Sequence, residues 1–184
     1  MRQLLHILLP AIILSAIGLS STGCIDDDYT TDATAVLSFS TDTLSFDTIF
    51  TDLRTPTASF MVYNRGKKMI SISDIHVADL AQNAKFRINV DGINDTRFSN
   101  VDIRGGDSIF IFVQAFINPN DDNAPLRVED KIKFLTNGIE QEVVLSAWGQ
   151  DVERLRKVDI LENTTFTADK PYVIFDTLTI SPCL

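Results

Sequence analysis

The feature that most constrains this chain is its punctuation between residues 36 and 150. Asn64-Arg65-Gly66, Asp91-Gly92, Arg104-Gly105-Gly106, the run 118–123 and Asn137-Gly138 cut the segment into short apolar stretches. Gly, Asn and Asp tolerate the positive φ that tight turns need. The stretches between them are rich in Val, Ile, Thr and Phe, residues that suit a pleated, half-buried surface. The pattern predicts strands near 36–40, 43–46, 59–63, 69–77, 86–90, 108–117, 131–136 and 139–147, with no helix of useful length. Seven or eight short strands in about 110 residues predict a β-sandwich.

The sharpest local expectation is the hairpin at Asn137-Gly138. A two-residue Asn-Gly loop favours a type I′ turn, whose twist matches that of the flanking strands. The loop sets Thr136 opposite Ile139, Phe134 opposite Gln141, Lys133 opposite Glu142 and Ile132 opposite Val143. An opposite-charge pair then falls on one face and an apolar pair on the other. Turn chemistry and cross-strand pattern agree.

Composition points the same way. The chain carries 25 acidic and 16 basic side chains, a formal net charge of −9. Twenty of the acids are Asp, which favours turns and caps over helices. The acidic balance argues against a nucleic-acid partner, which needs a basic footprint. Two cysteines, Cys24 and Cys183, are too few for a disulfide framework, so the core must hold the fold.

The quoted turns and strands resemble a known pattern. Val62-Tyr63-Asn64-Arg65-Gly66 leads into Ile70-Ser71-Ile72 and Phe86-Arg87-Ile88. Then come Arg104-Gly105-Gly106-Asp107 with Ser108–Val113, Phe134-Leu135-Thr136-Asn137 and Val144–Gly149. Over about residues 36–150 this is similar to the immunoglobulin-like sandwich of the abnormal-spindle and major-sperm-protein-like domains. The resemblance implies a packing and binding module without catalytic residues.

At the N-terminus, Arg2 precedes an apolar run from Leu4 to Leu19 and the small residues Ser20-Ser21-Thr22-Gly23. That order is a secretory signal peptide. The alternative, a retained membrane anchor, is weakened because the run is shorter than about 20 residues and is interrupted by His6 and Pro10. Ser21-Thr22-Gly23-Cys24 resembles a bacterial lipobox, with Ser21 where Leu is commoner. The resemblance implies lipidation at Cys24, and two or three acyl chains anchor stably where one does not. Asp26, Asp27 and Asp28 follow, a run that either serves as a plain acidic linker or, by resemblance to Bacteroides-group lipoproteins, signals export to the cell surface. Near anionic lipid the triplet would hold the chain off the bilayer.

The expected organisation is a signal-peptide helix over 1–23, an acidic linker over 24–35, the sandwich over 36–150 and a β-rich tail over 151–184. In the tail, 164–174 and 178–182 resemble the first coil of a right-handed parallel β-helix. One coil cannot bury its own face, and about three are needed. Either the tail is an incomplete β-helix or it packs on the sandwich as extra strands.

A search for chemistry finds little. No nucleophile elbow, zinc spacing, Walker loop or dinucleotide fingerprint occurs. His76 lies in an alternating apolar run and reads as a rim histidine. Asp121-Asp122-Asn123 and 91–95 lack the alternating ligand spacing of calcium loops and read as solvated turns. No cofactor, metal or catalytic residue is expected.

Two patterns remain. Asp-(Ser/Thr)-apolar recurs at Asp42-Thr43, Asp47-Thr48, Asp107-Ser108 and Asp176-Thr177, where about one such triplet is expected by chance. It resembles the O-glycosylation acceptor of Bacteroides-group bacteria, which makes Thr43, Thr48, Ser108 and Thr177 candidate sites. Equally, it is a natural way to begin a strand. The eukaryotic N-linked sequons at Asn94 and Asn163 carry no expectation in such a bacterium. The second pattern is the strand 108–117, where Phe110, Phe112 and Phe116 alternate with an apolar core set. A sandwich strand usually has one polar face. The three aromatics predict either a cover, with a neighbouring loop or the tail favoured, or an interface with a partner.

The sequence therefore predicts an outer-membrane lipoprotein, exposed on the cell surface or on the periplasmic face. Its expected role is as a non-catalytic binding, adhesion or stalk module with a glycan or protein partner. The alternatives are the N-terminal part of a β-helix carbohydrate-active protein and an assembly component of an envelope complex.

Overall fold

The computed structural model describes residues 28–51, 53, 57–119 and 126–181. Every regular element in it is a strand, as the turn punctuation predicts. In chain order these are β1 (Ser38–Phe39), β2 (Thr43–Phe50), β3 (Ala58–Tyr63), β4 (Ile70–Val77), β5 (Ala84–Val90), β6 (Ile93–Asp95) and β7 (Arg97–Phe98). They continue with β8 (Val101–Ile103), β9 (Ser108–Ile117), β10 (Leu126–Thr136), β11 (Ile139–Gln150), β12 (Glu153–Ile160) and β13 (Tyr172–Ile180).

Two sheets form a sandwich. One runs β1-β3-β9-β5-β6; the other runs β2-β11-β10-β4-β7, with β8 also paired to β4. Among the described residues, the named strands of the sandwich pair antiparallel except that β2 lies parallel to β11, with Leu44 beside Leu145 and Ile49 beside Gly149; an isolated bridge, Tyr29 to Met69, is also parallel. Alternation does the packing. Odd residues of β9, from Ile111 to Ile117, are buried, as are Val128, Ile132 and Phe134 of β10 and Val143, Leu145 and Ala147 of β11. Phe134 is fully buried and bridges the layers, 5.0 Å from Phe39 and 6.3 Å edge-on from Phe60. Such pairs add about 0.5–1.5 kcal/mol beyond their burial.

The β10–β11 hairpin has the predicted register at all four quoted pairs. Asn137 (φ 50°) and Gly138 (φ 80°) both take the left-handed conformation a type I′ turn requires. The charges differ in detail. Lys133 reaches diagonally to Glu140 at 2.8 Å and Lys131 to Glu142 at 2.6 Å, instead of pairing straight across. Strand twist brings diagonal neighbours within reach of long side chains.

Three features go beyond what the turn punctuation sets. The stretch 93–103 holds three short strands that two- and three-residue runs cannot announce. The segment 28–37 is not a free linker. Thr30 donates its N–H to the Met69 carbonyl, the Met69 N–H reaches Asp28 O, and Asn137 holds the carbonyls of Asp32 and Ala35. The tail forms its own two-stranded sheet, with β12 parallel to β13 from Glu153 beside Tyr172 to Ile160 beside Ile180. It meets the sandwich at Arg154, which donates to Thr51 O at 2.6 Å, and at the buried Asp151, 3.9 Å from Lys170 Nζ.

Two predicted turns prove to be one structure. Asn64 is completely buried; its amide nitrogen donates to the carbonyls of Lys68 (2.7 Å) and Ile103 (2.9 Å), and its oxygen accepts from Gly66 N–H (2.9 Å). The Arg104–Asp107 turn lies against this loop so closely that a Cβ on Gly105 would sit 2.1 Å from the Lys67 carbonyl oxygen. Glycine is required there for space.

Candidate aromatic binding face

The outer face of the β1-β3-β9-β5-β6 sheet is built by register. β9 presents Ser108, Phe110, Phe112, Gln114 and Phe116. Met61 and Ser59 of β3 stand beside Phe110 and Phe112 on one side. Asn89, Arg87 and Lys85 of β5 stand beside Phe112, Gln114 and Phe116 on the other, and Asn94 of β6 extends the row from Asn89. None of these positions is acidic.

Phe110 is 50% exposed and Phe112 41%, while Phe116 is half-buried. The first two rings lie 5.8 Å apart and nearly parallel, at 21°. Among the described residues the tail pairs with itself and does not cover this face, and Phe110 and Phe112 stay about half open.

Beside Phe112 lies a groove of about 240 Å³, lined by Thr57, Arg87, Asn89, Asn94, Phe112 and Gln114. Its amides are held in place. Asn89 donates to Asn94 Oδ1 at 3.1 Å and accepts from Gly92 N–H, and Gln114 donates to Thr57 Oγ1 at 3.1 Å. Gln114 Oε1 and the Asn94 amide nitrogen are left to offer an acceptor and a donor. Sequence reasoning missed these polar residues. Inward alternation at Phe86, Ile88 and Val90 was its available signal, and it implies that Lys85, Arg87 and Asn89 point outward.

The other candidate positions are scattered. Thr43, Thr48 and Thr177 are exposed and Ser108 is half-buried. In two of the four triplets the Asp carboxylate accepts the next residue's N–H at 2.7 Å, Asp47 from Thr48 and Asp107 from Ser108. Asp176, at φ 74°, instead accepts from the Thr177 hydroxyl at 3.2 Å. His76 sits on β4 with Nδ1 2.8 Å from Asp74, whose carboxylate also takes Arg97 at 2.7 and 3.1 Å. Burial alone would raise the Asp74 pKa, but the hydrogen bonds and charges of Arg97 and His76 outweigh it and hold the group below the usual carboxylate range.

A larger open hollow of about 700 Å³ lies at one end of the sandwich, between Val90, Asp91, Phe98, Asp102 and Arg104. Among the described residues no group of three His, Cys, Asp or Glu is placed to hold a metal ion. No helix among them is long and apolar enough to cross a membrane. Cys24, Asp26, Asp27, Cys183 and the run 121–123 lie outside the described residues. Of the acidic triplet, Asp28 is described, with its carboxylate 3.5 Å from Lys68 Nζ.

No protein-family model matches the chain, and no curated protein matches it. Among solved structures, the fold is similar to a protein of unknown function from Porphyromonas gingivalis W83, at 12% identity and a TM-score of 0.43. That match covers 70% of this chain and 51% of the other. The secreted serine protease VesC from Vibrio cholerae shares 12% identity at a TM-score of 0.43, over 64% of this chain and 24% of that one. The E. coli chaperone DraB shares 8% at 0.40, over 63% of this chain and 55% of that one. The chain thus spans about half the length of the first and about a quarter of the second.

Proposed function

We propose that this protein is a lipid-anchored cell-envelope binding module, non-catalytic, that uses the Phe110–Phe112 face. The observation that carries the binding role is the stacked, half-exposed pair of rings in a sheet whose other face is buried along β5 and most of β9. Leaving two large apolar side chains about half in water forgoes roughly 1 kcal/mol each, and contiguous exposed apolar surface marks an interaction site. The anchor rests on the sequence Gly23-Cys24 behind a cleavable apolar run.

Lipidation is tested by labelling cells with a palmitate analogue and comparing wild type with Cys24→Ala; equal label on both sinks it. Replacing Asp26, Asp27 and Asp28 with Ala should convert a protein that is protease-accessible on intact cells into a protected one. Accessibility that does not change assigns the triplet to a plain linker.

The parallel β12–β13 pair favours a second reading, in which the chain forms the N-terminal part of a β-helix protein. Parallel strands are ordinarily covered on both faces, yet Ile174 is 51% exposed and Ile180 71%. A further parallel strand along β13 would continue such a helix. Codons for further coils downstream of residue 184 would support this reading, and unrelated sequence there would remove it.

A further inference from the structure

We infer that the groove beside Phe112 binds an acidic glycan, with the apolar face of a sugar ring against Phe112 and its carboxylate or sulfate on Arg87. The inference deepens the binding-module reading and rests on it.

Three observations converge. The groove, about 240 Å³, is lined by one aromatic ring, two asparagines, a glutamine, a threonine and an arginine. A sugar ring has an apolar C–H face and a rim of hydroxyls that both donate and accept. Pre-positioned amides next to an aromatic wall match it on both counts. The amides are already fixed by one another, Asn89 on Asn94 and Gln114 on Thr57, so little side-chain freedom is lost on binding.

The charge decides the class of glycan. In a chain with 25 acids and 16 bases, most cations on the strands find carboxylates: Lys85 has Asp79, Arg97 has Asp74, and Lys131 and Lys133 have Glu142 and Glu140. The exposed Arg87 has no carboxylate partner among the described residues; Asp79, which lines a neighbouring hollow with it, is held by Lys85 at 2.9 Å. A guanidinium presents a planar fork that suits a carboxylate or sulfate better than a point charge does. The net charge of −9 repels polyanions at a distance, so any acidic glycan that binds is held by a local match.

The test is native affinity electrophoresis of the full chain through gels containing polygalacturonate or alginate, with methyl-esterified pectin and dextran as uncharged counterparts. The expected result is retardation by an acidic polymer that weakens with salt. Arg87→Gln and Phe112→Ala should each raise the apparent Kd about tenfold or more. The change at the exposed Arg87 should leave Tm unchanged, and that at Phe112, 41% exposed and stacked on Phe110, should lower it by only a few degrees. The inference is overturned if neither acidic polymer retards the wild type, if the uncharged polymers retard it equally, or if either variant behaves as wild type. Hydrophobic-dye binding by the full chain, compared with a Phe110→Ser/Phe112→Ser double variant, reads the underlying module separately. Dye binding that the double variant loses, without polymer retardation, keeps the face as a docking surface for a protein and rejects the glycan. A chain silent to both dye and polymer overturns both readings.

Discussion

Replacing Asn64 with Ala should cost about 3 kcal/mol. The Asn64 amide is fully buried and makes three hydrogen bonds, to Lys68 O, Ile103 O and Gly66 N. Each typically contributes about 1 kcal/mol net, and up to about 3 where the abandoned partner stays buried and unsatisfied. The loop it closes also seats the Arg104–Asp107 turn, through Gly106 N–H to Asn64 O at 3.0 Å and Asn64 N–H to Asp107 O at 3.0 Å. In urea, with a slope of about 2 kcal/mol per molar, the midpoint should fall by about 1.5 M. In a chain of this size the Tm should drop by roughly 6–12 °C. Asn64→Asp separates donors from shape. It keeps the acceptor for Gly66 but points carboxylate oxygens at two carbonyl oxygens, so at neutral pH it should destabilise at least as much. An Ala variant that loses less than about 1 kcal/mol, or an Asp variant as stable as wild type, would refute the reasoning.

Three further outcomes are expected. Asp74→Asn should lose about 1–2 kcal/mol at neutral pH, since it breaks charge-assisted bonds to Arg97 and His76. Because the folded-state pKa of Asp74 is lowered, that contribution is complete above the unfolded value near 3.9 and fades as pH falls through the folded one. Denaturation curves of the pair should therefore converge only below about pH 4, and a gap unchanged down to pH 2 would refute it. Gly105→Ala should destabilise more than Gly106→Ala, measured by thermal melts. The first collides with backbone at 2.1 Å, whereas the second meets nothing and bears only the strain of φ 77°. The intact mass of protein from its native host should exceed peptide plus lipid if Thr43, Thr48 or Thr177 carries sugar; a mass without sugar removes those sites.

Features coded locally were legible in the sequence. The Asn137-Gly138 loop carries its own register, and period-two alternation marks the inward residues of β9, β10 and β11. Phe110 and Phe112 were visible as too many aromatics for one strand. Features made by distant chemistry were not. Nothing near Thr43 shows that β2 joins β11 in parallel, because that neighbour lies about a hundred residues on. Asn64 looks like an ordinary turn residue until Ile103 closes over its amide. The groove is assembled from β5, β6, β9 and Thr57, each contributing one or two polar residues that are unremarkable where they stand. Whether the tail covers the aromatics depended on what β12 prefers as a partner, and Tyr172–Ile180 satisfies it better than the sandwich does.

The parallel β2–β11 pairing also sets the order in which this chain can finish folding. β2 is among the earliest strands synthesised, yet its buried residues Leu44, Phe46 and Ile49 need a partner that ends at Gln150. Contacts this far apart form late and slowly. A chain emerging from the ribosome carries β2 unpaired until nearly the whole sandwich has been made. That sheet cannot close early, and its apolar strand stays open throughout synthesis. Such a chain gains from a holding chaperone until β11 is complete.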